Sequence, residues 1–284
     1  MRALITGGGG QLATDLAALL GDDAVSRTHA ELDIGDSAAL DSAFDEIRPD
    51  VVFNCAAFHN VDECERNPDP AWAVNVRAVR DLASRGAKLV HLSTNYVFDG
   101  RSPEPYGEDD LPSPRSIYAL TKLAGEHVAL AYGPDALVVR TAGLYGLAGS
   151  ASKGGNFVQR MISRARETGS LKMVADQRLQ PTYTRDLAEA LVDAVGRDAS
   201  GVVHLTAGGE CSWFDFTAAI MEIAGIDVPI EPVETTIPPG GVDRPLNGVL
   251  ARPRADDLGL AELRPWREAL EGYMATAGLS TAAA

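Results

Sequence analysis

Three features of the sequence predict an α/β fold built on a doubly wound parallel sheet, with a smaller domain interleaved toward the C-terminal end. The chain opens with an apolar run, Ala3 to Thr6, followed by four glycines and a helical stretch from Gln11 to Leu20. Strand, tight turn and helix in that order form a dinucleotide-binding unit. The runs Val51 to Ala57 and Lys88 to Thr94 are continuously apolar rather than alternating, as expected for strands covered on both faces. Helical stretches separate the strands, so they must pair in parallel through crossovers. Together these make the fold Rossmann-type.

Size and composition fit that fold. A chain of 284 residues, 45% hydrophobic and 23% charged, can bury a sizeable core. A formal net charge of -15 argues against nucleic acid as a partner, so an anionic ligand must be held by specific Arg, Lys and backbone N–H groups. Cys55, Cys64 and Cys211 are odd in number and lack metal-ligand spacing, so no metal site is expected. They read as reduced thiols. The opening residues make too short an apolar run for a signal peptide, and no window approaches a membrane span. A cytoplasmic protein without a membrane partner is expected.

Gly7 and Gly10, with Ala13 three further on, let a pyrophosphate approach the start of the first helix. The second strand, near Ala24-Val25-Ser26, ends at Arg27. A carboxylate there would accept from the ribose 2′-hydroxyl of NAD, whereas Ser26 and Arg27 suit a 2′-phosphate, so NADP(H) is favoured and NAD(H) possible. Asp33 and Ile34 border the expected adenine site. Asp36 can cap a helix from Ser37 to Ile47. Small Ala56 and Ala57, ending the third strand, let a cofactor lie close. A helix is expected from about Pro70 to Arg85.

Thr94 ends the fourth strand, where ligands bind in such sheets. After a Pro-rich loop from Ser102 to Pro114, Tyr118 and Lys122 fall at i and i+4 on one helical face. An ammonium beside a phenol favours the phenolate and brings proton transfer within reach at neutral pH. The pair alone is weak, since an amphipathic helix with an exposed Tyr and Lys looks the same; Thr94 and the glycine turn strengthen it.

Leu137 to Arg140 is a further strand, after which Gly146 to Gly155 reads as loop. Asn156 to Arg166 reads as helix, Leu171 to Val174 as strand, and Thr182 to Val195 as a loop and helix returning to the core before a strand at Val202 to Thr206. His204 reads as a hydrogen-bonded core residue, and Trp213 and Phe214 as packing residues at the start of a helix. Pro238 to Gly241 marks a flexible segment before Arg244, which can clamp a diphosphate. A C-terminal helix follows Pro265, and the last residues from Ser280 should fray. The expected division is 1–142, with returning segments near 182–206, for the dinucleotide, and 143–284 mainly for substrate.

Ordered motifs along nearly the whole chain resemble the dTDP-4-dehydrorhamnose reductases, extended short-chain dehydrogenase/reductases. They are Thr6-Gly7-Gly8-Gly9-Gly10-Gln11-Leu12, Asn54-Cys55-Ala56-Ala57 with Val61-Asp62 and Glu65, Ser93 to Gly100, and Tyr118 to Glu126. Val139-Arg140-Thr141, Gly155-Asn156-Phe157, Asp176-Gln177, Pro181-Thr182, Cys211 to Phe216 and Arg244-Pro245 continue the likeness. The resemblance implies hydride transfer from NADPH or NADH to C4 of a nucleotide-linked 4-keto-6-deoxy sugar. It implies Thr94 orienting the carbonyl, Tyr118 protonating the alkoxide, and Lys122 lowering the phenol's pKa while binding the nicotinamide ribose. Gly7, Gly10, Gln11, Leu12, Ala56 and Ala57 match cofactor positions; Val61, Asn95 and Tyr96 match positions near the sugar. A monomer or homodimer is expected.

Two departures touch the substrate. Asn95 stands where the family usually has Asp, and Gly143 where it commonly has Trp, which would open room in the sugar pocket. A bulkier or differently substituted keto sugar is the expected substrate. The same superfamily holds a cofactor-binding regulatory subunit and sugar-nucleotide epimerases; an intact Thr94, Tyr118 and Lys122 counts against the first, and the lack of an extra acid or base at Asn95 against the second.

Overall fold

The computed structural model describes residues 1–148, 155–237 and 240–280. Part of the expected 146–155 loop, Pro238, Pro239 and the last four residues lie outside them. The chain begins with β1 (Ala3–Thr6), α1 (Gln11–Leu20), β2 (Ala24–Arg27), α2 (Ser37–Ile47) and β3 (Val51–Asn54). After α3 (Val61–Arg66), α4 (Pro68–Trp72) and α5 (Ala78–Ala83) come β4 (Lys88–Thr94), α6 (Ile117–Tyr132) and β5 (Leu137–Thr141). Local chemistry sets the helix starts: the Asp36 carboxylate accepts from the Ala38 and Ala39 amides, and the Ser116 hydroxyl accepts from Ala119 N at 3.2 Å.

Beyond β5 the chain forms α7 (Phe157–Thr168), β6 (Leu171–Val174) and β7 (Arg178–Leu179), then returns as α8 (Thr184–Gly196) and β8 (Gly201–His204). It continues through β9 (Ala207–Gly208), β10 (Cys211–Ser212), α9 (Trp213–Ala224), β11 (Ile230–Val233), α10 (Pro253–Asp257), β12 (Leu263–Pro265) and α11 (Trp266–Thr276). The main sheet runs β2-β1-β3-β4-β5-β8, parallel throughout. Three two-stranded pairs, β7 with β10, β6 with β11 and β9 with β12, belong to the smaller region.

Alternation along each strand sends neighbouring side chains to opposite layers. Ile5, Phe53 and Val139 pack with Leu12 and Leu16 of α1 and with Leu187 and Leu191 of α8. Leu4, Val52, Leu89 and Val138 pack on the other face with Leu40, Ile47 and Leu82. A separate core gathers Tyr145, Phe216, Ile220 and Tyr273. Asn156 joins it to the chain leaving β5: its amide caps α7 and donates to Gly146 O at 2.7 Å and the Tyr273 hydroxyl at 2.5 Å.

The helix expected from about Pro70 to Arg85 begins at Pro68 and contains a π-helical turn over Ala73–Arg77. The cause is Asn75. Its buried side chain exchanges hydrogen bonds with Phe58 N and O at 2.9 and 3.0 Å and donates to Thr121 Oγ1 at 3.1 Å. Its carbonyl meets α6 so closely that a Cβ on Gly125 would lie 2.4 Å away. A tightened loop and an abutting helix thus share one widened turn.

Candidate active site

In the sheet, β1 lies between β2 and β3, so the strand order reverses there and a crevice opens at the carboxyl ends of β1 and β3. Gly7 sits in that crevice at φ +71°, and a Cβ on it would come within 2.8 Å of Ala56 N. Only glycine allows this approach. Gly8, which the sequence reading passed over, donates its N–H to Arg27 O at 2.7 Å and binds the turn to β2. No side chain caps α1, whose N-cap is Gly10, so first-turn amides including Gln11 and Leu12 are open to an anion. The cradle fits a pyrophosphate.

Backbone, not side chains, supplies that fit. Leu12 is buried in the core, and the Gln11 carbonyl accepts from Gly146 N at 2.8 Å. Ala57 follows Ala56 at the crevice edge and is half-buried. Ser26 faces the turn: its hydroxyl would lie 2.8 Å from a Cβ on Gly8. Arg27 pairs with Glu46 at 3.3 Å on the surface. Asp33 accepts from Gly35 N at 2.8 Å, while Ile34 turns its side chain into the core beside Leu4 and Leu40.

The expected trio does converge. Thr94 closes β4, and its hydroxyl lies close enough to Tyr118, in the first turn of α6, to favour the phenolate. Glu65 of α3 accepts from Ile117 N at 2.6 Å and fixes the start of that helix. Tyr96 meets the Tyr118 ring edge-on at 5.9 Å. Lys122 is 2% exposed, and its ammonium donates to Leu92 O at 2.5 Å with His91 Nε2 at 3.4 Å.

Electrostatics corrects one expectation. Burial holds the Tyr118 phenol well above its ordinary range, opposed by the nearby Thr94 hydroxyl; Lys122 is not among the groups acting on it. The lysine amine is drawn instead to the Leu92 carbonyl, so the direct lowering expected from the i, i+4 spacing does not occur. Burial brings Lys122 down to about 8, while the Glu126 carboxylate favours its charged form. Cys55 beside it is pushed up to about 12 by burial and remains a thiol.

The residues expected near the substrate gather around Tyr96, which meets Tyr118. Val61 opens α3, directly before Asp62. Arg244 donates to the Asp62 carboxylate at 3.0 and 3.1 Å and stands near the Tyr96 hydroxyl. It also borders a cavity of about 360 Å³ with Phe157, Met173, Trp213, Thr235 and Val242. Trp213 packs against Phe157 with ring centroids 4.6 Å apart and still faces this space, a second role beyond the packing expected of it.

Both departures acquire a physical reason. Asn95 donates to Gly248 O at 3.0 Å, a bond an ionised Asp cannot make, and accepts from the Thr94 hydroxyl at 3.3 Å. It ties β4 to the segment that carries Arg244. Gly143 has φ +58°, and a Cβ there would lie 3.0 Å from Pro181 Cα and 3.3 Å from Leu179 Cδ1. The place where a side chain would leave the backbone is filled, which corrects the expectation of opened room.

His204 is fully buried, with Nδ1 at 2.7 Å from Ala251 O, and burial holds it down at about 4, in keeping with a neutral core residue. Sequence reasoning missed Asn54, Asn75 and His91 as parts of the site. The available signal was a polar residue inside an apolar strand, as at Asn54 and His91.

Comparison with known proteins agrees with this geometry. Residues 1–278 match the family described as RmlD substrate binding domain. The chain is 39% identical over 293 residues to dTDP-4-dehydrorhamnose reductase of Streptomyces griseus, covering 98% of this chain and 94% of that protein. It is 39% identical over 278 residues to dTDP-4-keto-6-deoxy-D-glucose reductase of Streptomyces niveus, with 95% of each covered. Among solved structures, dTDP-4-dehydrorhamnose reductase of Bacillus anthracis in complex with NADP superposes with a TM-score of 0.91 at 33% identity, over 97% of this chain and 98% of that one. The chain belongs to the dTDP-4-dehydrorhamnose reductase family.

Proposed function

We propose that the chain is an NAD(P)H-dependent reductase acting on the C4 ketone of a dTDP-linked 4-keto-6-deoxy sugar, with NADPH favoured. The observation that carries this reading is Thr94 at the end of β4 standing beside Tyr118 in the first turn of α6, with Lys122 buried one turn further along the same helix. When bound, the dinucleotide supplies the hydride. The Gly7 turn and the first-turn amides of α1, including Gln11 and Leu12, hold its pyrophosphate, and Ala56 and Ala57 leave room beside it. Ser26 and Arg27 support the preference for a 2′-phosphate, since Arg27 can exchange exposed Glu46 for it.

Thr94 donates to the substrate carbonyl and polarises it. Hydride arrival at C4 breaks the carbonyl π bond, and Tyr118 gives its phenolic proton to the oxygen as the alcohol forms. Its raised pKa suits the task, because the acid is protonated when substrate arrives. Lys122 carries the positive charge that offsets the phenolate left behind. Arg244 takes the diphosphate, and the cavity beside Phe157 and Trp213 takes the nucleoside. Residues 1–142, with 182–206, serve the dinucleotide; 143–284 mainly serve the substrate.

Asn95, which cannot carry the acid's charge, supports a keto sugar other than dTDP-4-dehydrorhamnose. The test follows NADPH absorbance with a panel of dTDP-4-keto sugars. Consumption with at least one is expected; no consumption with any would overturn the reductase reading, and clear preference for dTDP-4-dehydrorhamnose would refute the altered sugar.

A further inference from the structure

Behind Lys122 runs a line of buried polar groups that the reduction as described does not use. Lys122 Nζ faces His91 Nε2 at 3.4 Å, and His91 Nδ1 lies 3.1 Å from the Asn54 amide nitrogen. Asn54 Oδ1 in turn accepts from the Thr6 hydroxyl at 2.7 Å. Thr6, Asn54, His91 and Lys122 are each 2% exposed or less and come from β1, β3, β4 and α6. Water does not reach them, so each donor must find its acceptor within the line.

That requirement couples the orientation of one amide to the charge on Lys122. With Asn54 Nδ2 donating to His91 Nδ1, the histidine carries its proton on Nε2, and Lys122 must accept it as a free amine. With the amide turned, Asn54 Oδ1 accepts from Nδ1–H, Nδ2 donates to the Thr6 hydroxyl oxygen instead of Oδ1 accepting from it, and the Nε2 lone pair faces an ammonium. Asn54 fits either way round, because its oxygen and nitrogen have the same shape. Only the second arrangement serves a charged lysine.

We propose that His91 is a positioning residue for the reduction: held in its Nδ1–H form by Asn54, it accepts from the Lys122 ammonium and keeps that lysine charged beside Tyr118. The inference rests on the reductase reading and deepens it. The other titratable groups acting on Lys122 are Glu126 on α6 and Cys55 after β3. Glu126 is already paired with Arg140 at 2.7 Å and hydrogen-bonded to Ser93, and Cys55 remains a neutral thiol. His91 is thus the side chain free to accept from the ammonium. Its own burial keeps it neutral, well below the usual histidine range, and so able to accept.

The sign of the pH dependence follows. Lys122, held at about 8, loses its charge as pH rises through that value, and turnover falls with it. Removing the acceptor lowers the lysine further. His91→Leu is expected to move the alkaline limb of kcat about one pH unit toward acid. His91→Gln, whose carbonyl can accept in place of Nε2, is expected to restore the limb; a merely structural role would lower kcat without moving it. An unshifted limb in His91→Leu would overturn the proposal. Should either variant fail to fold, 15N-histidine spectra of the unaltered protein decide the matter, reading five histidines by their tautomer. An Nδ1–H form of His91 below the alkaline limb is expected, and an Nε2–H form there would overturn the proposal. The spectra need no substrate, so they speak for His91 even if no keto sugar is reduced.

Discussion

Lys122 and Arg244 are the cations to which the proposed reaction assigns the phenolate and the diphosphate, and their surroundings differ in kind. Lys122 is buried, and its partners Leu92 and His91 belong to a central strand. Arg244 leaves 37% of its side chain exposed and pairs with Asp62, itself 57% exposed, between an irregular stretch of chain and the first turn of α3. The first arrangement fixes a geometry, and the second can be exchanged. Reduction needs a proton donor and a charge in fixed places, whereas a diphosphate must arrive and leave. Tyr96 stands between the two ends, edge-on to Tyr118 and near Arg244.

The contrast can be broken at the fixed end. Tyr118→Phe keeps the ring and its packing on Tyr96 but removes the only proton the reduction draws on. Turnover should fall about a thousandfold with little change in KM for the nucleotide sugar. Equal losses in kcat and in binding would indicate that the ring, not the proton, was what mattered.

The next largest effect is on stability. Arg140 lies 4% exposed on β5 and pairs with Glu126, 2% exposed, at 2.7 Å. The same guanidinium stands 5.1 Å over the Phe98 ring. Arg140→Met fills similar volume but leaves the carboxylate buried without its guanidinium, bonded to the Ser93 hydroxyl, at a cost of about 3–5 kcal/mol. Denaturant unfolding measures it. The double variant Arg140→Met with Glu126→Gln should recover part of the loss, and failure to recover any would show that packing dominates.

These two regions were also unequally legible. The parallel sheet, the glycine turn and the placing of Tyr118 and Lys122 on one helical face follow from strand periodicity and helical spacing, which are local and repeat. The Asn54–His91 line is not local. It exists because β3 and β4 pair in the register that puts Asn54 opposite His91, and no spacing in the chain announces that. The direction of Lys122 was missed for the same reason, since its acceptor is a strand carbonyl rather than the phenol one turn back. In the smaller region β11 pairs with β6 although Pro232 stands in its middle, and β9 pairs with β12 across a register shift, so neither shows the run of apolar residues that marks a strand. Gly143 reads as a deleted side chain until the positive φ and the nearness of Pro181 explain it.

At the exchangeable end, Arg244→Ala should raise KM for the nucleotide sugar about thirtyfold and leave kcat within about twofold, because the contact is made equally in ground and transition states. Arg244→Lys keeps charge without the fork and should fall between. A kcat loss as large as the KM rise would mean that Arg244 acts through Tyr96 on the proton donor.

The smallest effect discriminates most sharply. Asp62 occupies the guanidinium to which the proposed reaction assigns the diphosphate, and it adds a negative charge where that reading brings another. Against this, it holds Arg244 in place. Exposed pairs of this kind contribute about 1 kcal/mol or less, so the ordering gained is small. Repulsion of a diphosphate should outweigh it, and Asp62→Asn is therefore expected to lower KM for the nucleotide sugar by less than about fivefold. Salt should shrink the difference, since both charges are exposed. In the Arg244→Ala background the benefit should shrink to what Asp62 exerts on the diphosphate directly. A rise in KM for Asp62→Asn would make Asp62 a brace for Arg244 and place the clamp, like Lys122, among the fixed parts of the site.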